Sequence, residues 1–108
     1  MEIIEIAKKI EEKIKLLEKG RQTLAIKAKE KAEAIAEYDK KMAKTIIQMK
    51  NEGMPITLIE RIAKGICWKE KLAKELAEAE YKNATVKMEA VMAELNGYQS
   101  INRYLEKM

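Results

Sequence analysis

The stretch NEGMPITLIE, Asn51 to Glu60, decides the fold. Asn51 and Gly53 are residues that end helices, because each tolerates the left-handed backbone a C-terminal cap requires. Pro55 has no N–H and cannot continue a helical ladder. Directly after it, TLIE (Thr57 to Glu60) has the spacing of a capping box. Thr57 would accept from the backbone N–H of Glu60, and Glu60 would reach back. One helix therefore stops and another starts. The turn is expected over 51–56 and a short helix over 57–66.

Upstream, alternate steps of four and three from Ile3 pass through Ala7, Ile10, Ile14, Leu17, Arg21, Leu24, Ala28, Lys31, Ile35, Tyr38, Met42, Thr45 and Met49. All but Arg21, Lys31 and Thr45 are apolar or Tyr. A heptad kept this long predicts one coiled-coil helix over about 2–50, roughly 70 Å in length. Gly20 lies beside Arg21, the weakest point of the seam, and a local bend or fray is expected there.

Downstream, Leu58, Ile59, Ile62, Ala63 and Ile66 give the short helix one apolar stripe. A third helix is expected from about Trp68 to Glu106, with two apolar faces. One carries Leu72, Leu76, Ala79, Asn83, Val86, Ala90, Ala93 and Gly97. The other carries Tyr81, Ala84, Met88, Val91, Leu95, Tyr98, Asn102 and Leu105. The second face keeps its phase through LNGYQS, which favours helix across Gly97. The Asn96-Gly97 pair, with Ser100 as a fresh cap, offers a break at 96–100 instead. A hairpin needs only one such face. The chain is thus read as a single all-α domain, a long antiparallel, coiled-coil-like hairpin with a short helix at the turn. Its spare face is expected to be covered by oligomerisation, most simply a dimer completing a four-helix bundle, or by residues 57–67.

Composition supports this class. Of the 108 residues 47% are hydrophobic and 37% charged, with one Pro and no Phe, as in long helices and unlike disordered chains. The net charge of +4 falls in the first half, where residues 1–50 hold 13 basic against 9 acidic side chains. Residues 51–108 hold 9 of each. A mildly positive surface could meet an anionic partner, although alternating Lys and Glu is also what any solvated helix shows. No run approaches the roughly 20 apolar residues that span a bilayer. MEIIEIAKKIEEK has acids inside its apolar run, unlike a signal peptide. One Cys cannot form an internal disulfide. A cytoplasmic protein without membrane partners is expected.

The chain has no His and one Cys, so ordinary zinc sites and His-based nucleophile pairs are missing. Glu33/Glu37 and Glu75/Glu78 share helix faces with lysines and read as ion-pair partners. No phosphate-binding Gly loop occurs. The sequence predicts a protein that is not an enzyme and carries no cofactor.

Two clusters stand out on this plain scaffold. AKGICWKEK (Ala63–Lys71) joins the only Cys and the only Trp at one helix joint. Cys67 reads as a small buried apolar residue, with a lysine-activated thiol as the less favoured reading. Trp68 reads as a wedge in the joint. Alternatively, its ring stacks on a ligand while Arg61, Lys64, Lys69 and Lys71 take phosphates. The C-terminal GYQSINRYL sets Tyr98, Gln99, Ser100, Asn102, Arg103 and Tyr104 close together. Amides and an Arg among aromatics suit a nucleotide; a polar helix end packed by two tyrosines is the other reading. The candidate ligand-binding residues are therefore Arg61, Lys64, Trp68, Lys69, Tyr98, Gln99, Asn102, Arg103 and Tyr104. A DNA-reading role for 57–67 is weak, since only Arg61 and Lys64 lie on its polar face.

IERIAKGICWKEKLAKELAEAEY and LNGYQSINRYL resemble segments of small all-helical accessory proteins of temperate phages and prophages of Gram-positive bacteria. The resemblance spans roughly a third of the chain and includes no catalytic motif, so it transfers no residue role. It implies a protein that works by binding in a bacterial host. Its expected partner is a cyclic nucleotide or other anionic ligand, held where chains meet, as a counter-defence sponge. A host protein that it blocks and single-stranded DNA in recombination are the alternatives. Mimicry of DNA would need a strongly acidic chain, and five aromatics are few for a single-strand track.

Overall fold

The computed structural model describes residues 2–108, and among these no strand occurs. Three helices follow one another: α1 (Ile3–Asn51), α2 (Ile56–Ile66) and α3 (Trp68–Glu106). They form a helical hairpin with the short helix at its turn. Two compact units divide it. One comprises the residues up to Ile26 together with Lys82–Met108, and the other is Lys27–Tyr81.

The turn is built as a left-handed cap. The Met54 N–H donates to the Met49 carbonyl and the Gly53 N–H to that of Lys50, both at 3.1 Å. This pair of bonds is a Schellman motif, and Gly53 has φ +78° as it demands. Met54 also packs against Met49, the apolar contact that accompanies this cap. Gly53→Ala is therefore expected to cost about 1 kcal/mol, because a Cβ in this region is strained. Urea unfolding would show it as a lower midpoint at unchanged slope.

The start of α2 differs from the expected capping box. Helix begins at Ile56, with Pro55 at the cap position and no side-chain cap bond. Thr57 is already inside the first turn, so its hydroxyl cannot cap, and Glu60 pairs with Lys64 at 3.1 Å instead.

In the unit Lys27–Tyr81 the hairpin is held by cross-helix pairs and a small core. Lys27 reaches Glu80 at 3.0 Å, and Lys41 reaches Glu70 at 3.3 Å, which fixes α1 and α3 as antiparallel here. Met49, Ile59 and Ala63 form the buried centre, with Met42, Ile46 and Met54 around it. Thr45 is buried, and its hydroxyl donates to the Lys41 carbonyl at 2.7 Å, which satisfies it inside the helix. Lys31 and Lys74 lie over the rings of Tyr81 and Tyr38, at 4.8 and 4.9 Å from their centroids. The seam here runs through Lys31, Ile35, Tyr38, Met42, Thr45 and Met49, as the heptad reading has it, but Lys27 stands in place of Ala28, which is exposed.

In the other unit the phase of α1 differs. Ile10, Leu17 and Leu24 face inward as expected, whereas Ile3, Ala7, Ile14 and Arg21 are exposed. Their places are taken by Ile6, Lys13 and Gly20. Lys13 lays its stem along the seam and pairs with Glu94 of α3. α1 continues as helix through Gly20 without fraying. A Cβ there would sit 3.0 Å from Met88 Cγ, so the missing side chain lets α3 come close. On α3 the inward face is Ala84, Met88, Val91, Leu95, Tyr98, Asn102 and Leu105, and the helix runs unbroken through Gly97.

The paired groups are shifted accordingly. Hydrogen bonds to Glu94 and to Glu80 raise the ammonium groups of Lys13 and Lys27 above their ordinary 10.5. Glu70 is held below the ordinary 4.5, first by its own backbone N–H at the start of α3 and then by Lys41. The lysines stabilise the fold below 10.5, an effect lost as pH climbs through their raised values. Glu70 stabilises it above 4.5, an effect lost as pH falls through its lowered value. Thermal midpoints are expected to hold steady between these limits and to fall beyond both. Glu70→Gln should flatten the acid limb.

Candidate binding faces around the joint of α2 and α3

Only Cys67 separates α2 from α3, and the ladder continues through it. Its N–H donates to the Ala63 carbonyl and its carbonyl accepts from Lys71, each at 3.0 Å. Its backbone, at φ −90° and ψ 22°, departs from helix enough to mark a joint. The side chain is wholly buried, with Sγ 3.6 Å from Thr45 Oγ1. Cys67 thus packs as a small apolar residue.

Trp68 does not wedge the joint. It is 56% exposed, and the Lys69 ammonium stands 5.6 Å from the ring centroid. The reason is rotation: each residue turns a helix by 100°, so if Cys67 points inward its neighbour points aside. The same rule divides α2. Ile59 and Ala63 are buried, while Leu58, Ile62 and Ile66, one position away, stay exposed. The single apolar stripe read from the sequence is two stripes. The paired residues Leu58-Ile59 and Ile62-Ala63 were the available signal, since adjacent residues on a helix never share one direction.

On the other flank, Arg61, Lys64 and Trp68 follow one another at steps of three and four along an unbroken ladder, which puts them on one side. Thr57, Glu60, Arg61 and Lys64 line an open hollow of about 420 Å³. Glu60 is a wall of that hollow and neutralises Lys64 across it. An anion entering there has to displace a carboxylate. Lys69 is on Trp68 rather than in the hollow, and Lys71 is exposed.

The second predicted cluster lies in the unit of Lys82–Met108. Tyr98 is half-buried on the inward face of α3. Asn102 donates to Glu106 at 3.2 Å, and Arg103 donates to the Ser100 hydroxyl at 3.5 Å. Gln99 and Tyr104 are exposed. Tyr98 and Asn102 therefore serve the hairpin seam, while Gln99, Arg103 and Tyr104 are open to a ligand. Among the described residues no group of three His, Cys, Asp or Glu could hold a metal ion. No helix among them is long and apolar enough to cross a membrane.

No family model, curated protein or solved structure matches the chain. The function has to be argued from these faces.

Proposed function

We propose that the chain is a non-enzymatic phage accessory protein that binds and blocks a host protein through the outward stripe of α2. One observation carries this reading: an eleven-residue helix that buries Ile59 and Ala63 also holds Leu58, Ile62 and Ile66 out in solvent. A short helix gains nothing in its own fold from three exposed branched side chains, and each adds apolar area for a partner to cover. Arg61 is exposed on the neighbouring flank of α2, so the partner surface the stripe suits is an apolar helix edged with acids. The test is a photo-crosslinking residue placed at 58, 62 or 66 in the bacterial host. The reading expects one product shared by all three positions and lost in Arg61→Glu. Products no different from those of a crosslinker at exposed Lys29 would sink it.

A second reading, an anionic nucleotide held in the manner of a sponge, is favoured by the side shared by Arg61, Lys64 and Trp68, and by Arg103, which is exposed and donates to the Ser100 hydroxyl. Titration with cyclic di- and oligonucleotides, followed by Trp68 emission, tests it. An unchanged spectrum and no heat would exclude it.

A further inference from the structure

The unit formed by the residues up to Ile26 and Lys82–Met108 has only two helical stretches and a thin centre. Its buried apolar side chains are Ile6, Leu17 and Leu95. Ile14, Leu16, Val86 and Met92 remain exposed. Two helices share one seam, and every other face stays wet. In proteins most helical stability comes from packing of an apolar face, and this pair has little of it.

The place for more is defined. Between the helices runs an open, mostly apolar groove of about 270 Å³, walled by Leu16, Thr23, Ala84, Met88 and Val91, with Lys87 at its edge. Gly20 lines it too, and the close approach it permits keeps the groove narrow. Leu16, 47% exposed, stands as a ridge between this groove and a second hollow bordered by Glu12, Lys15 and Lys19. A ridge with a hollow on either side is the element that knobs-into-holes packing requires.

We infer that the occupant is a second copy of this chain, docked antiparallel so that Leu16 of each copy fills the groove of the other. Charge complementarity selects a copy over another partner. Glu12 lies one turn before Leu16 and Lys19 one turn after it. A two-fold axis between them sets Glu12 of each copy against Lys19 of the other, twice. Glu12 is exposed, and its ion pair with Lys9, at 3.6 Å, is one between two exposed side chains. The stretch Ile3–Ile26 runs roughly 36 Å, long enough to bury the ~1,200 Å² or more that a stable dimer needs. The result is a four-helix bundle in this unit.

Sedimentation of the full chain at micromolar concentration is expected to give a dimer. Leu16→Glu should raise its dissociation constant about a hundredfold or more, because the side chain is lost from both halves. Glu12→Lys and Lys19→Glu should each weaken the dimer roughly tenfold, and the double variant should recover it to within about threefold. The double variant keeps the test sound if Leu16→Glu lowers helix content. A monomer at all concentrations, a dimer indifferent to Leu16→Glu, or a charge swap without recovery would each overturn the inference.

Discussion

Ala63→Asp is expected to cost the fold about 4 kcal/mol and to strip α2 from α1. Ala63 has no exposed surface and sits between Met49 and Ile59. A carboxylate there either stays buried without a partner, at several kcal/mol, or forces α2 away and exposes the whole cluster. Gly65→Ala, two residues along the same helix, should instead stabilise by about 0.5–1 kcal/mol. A Cβ at Gly65 meets nothing within 4 Å, and Ala favours helix. Urea unfolding of the pair checks this. Equal midpoints for Ala63→Asp and the parent chain would mean that α2 does not lie where the structure has it.

Leu95→Ala is expected to cost about 2–4 kcal/mol, the usual range for emptying a buried leucine site. The effect should be near the upper end, because so few other buried side chains in its unit can close the cavity. Val86→Ala, on the exposed side of α3, should change stability by no more than about 0.5 kcal/mol. Hydrogen exchange of Leu95→Ala should show protection lost first among the amides of Lys82–Met108. Similar losses in both variants would reverse the assignment of inner and outer faces on α3.

The two α3 faces show what the sequence could tell. Both were visible as apolar stripes, and periodicity alone could not rank them. The face chosen in the structure carries Leu95 and Met88, which fill the space against α1, while the other is exposed at Leu72, Leu76 and Val86. On α1 the reading failed at Lys13 and Lys27, because a charged residue on the seam counts against it in any apolar pattern. Here each lysine contributes its stem to the seam and its ammonium to a glutamate on the opposite helix. That pairing depends on which residues face each other across the hairpin, and no local pattern contains it.

The candidate site was legible in part. The common side of Arg61, Lys64 and Trp68 follows from spacing once the helix is known to pass through Cys67. The outward Trp68 did not, since a one-residue joint sets which side chain turns in and which turns aside. Glu60 reads from the sequence as half of a capping box, and that reading hides its place as the counter-charge in the hollow. The exposure of Leu58, Ile62 and Ile66 depended on knowing how wide a face α1 could cover.

Cys67 gives the molecule a built-in clock. A thiol reagent cannot reach a sulfur with no exposed surface until α2 lifts, so the labelling rate counts openings of the joint. With reclosing faster than reaction, the ratio of that rate to the rate for an unfolded chain is the equilibrium constant for opening. The indole next to it lies on the outside and reads the surface while the thiol reads the interior. Two neighbouring residues thus separate a partner that docks on the closed joint, which slows labelling, from one that captures it open, which speeds labelling.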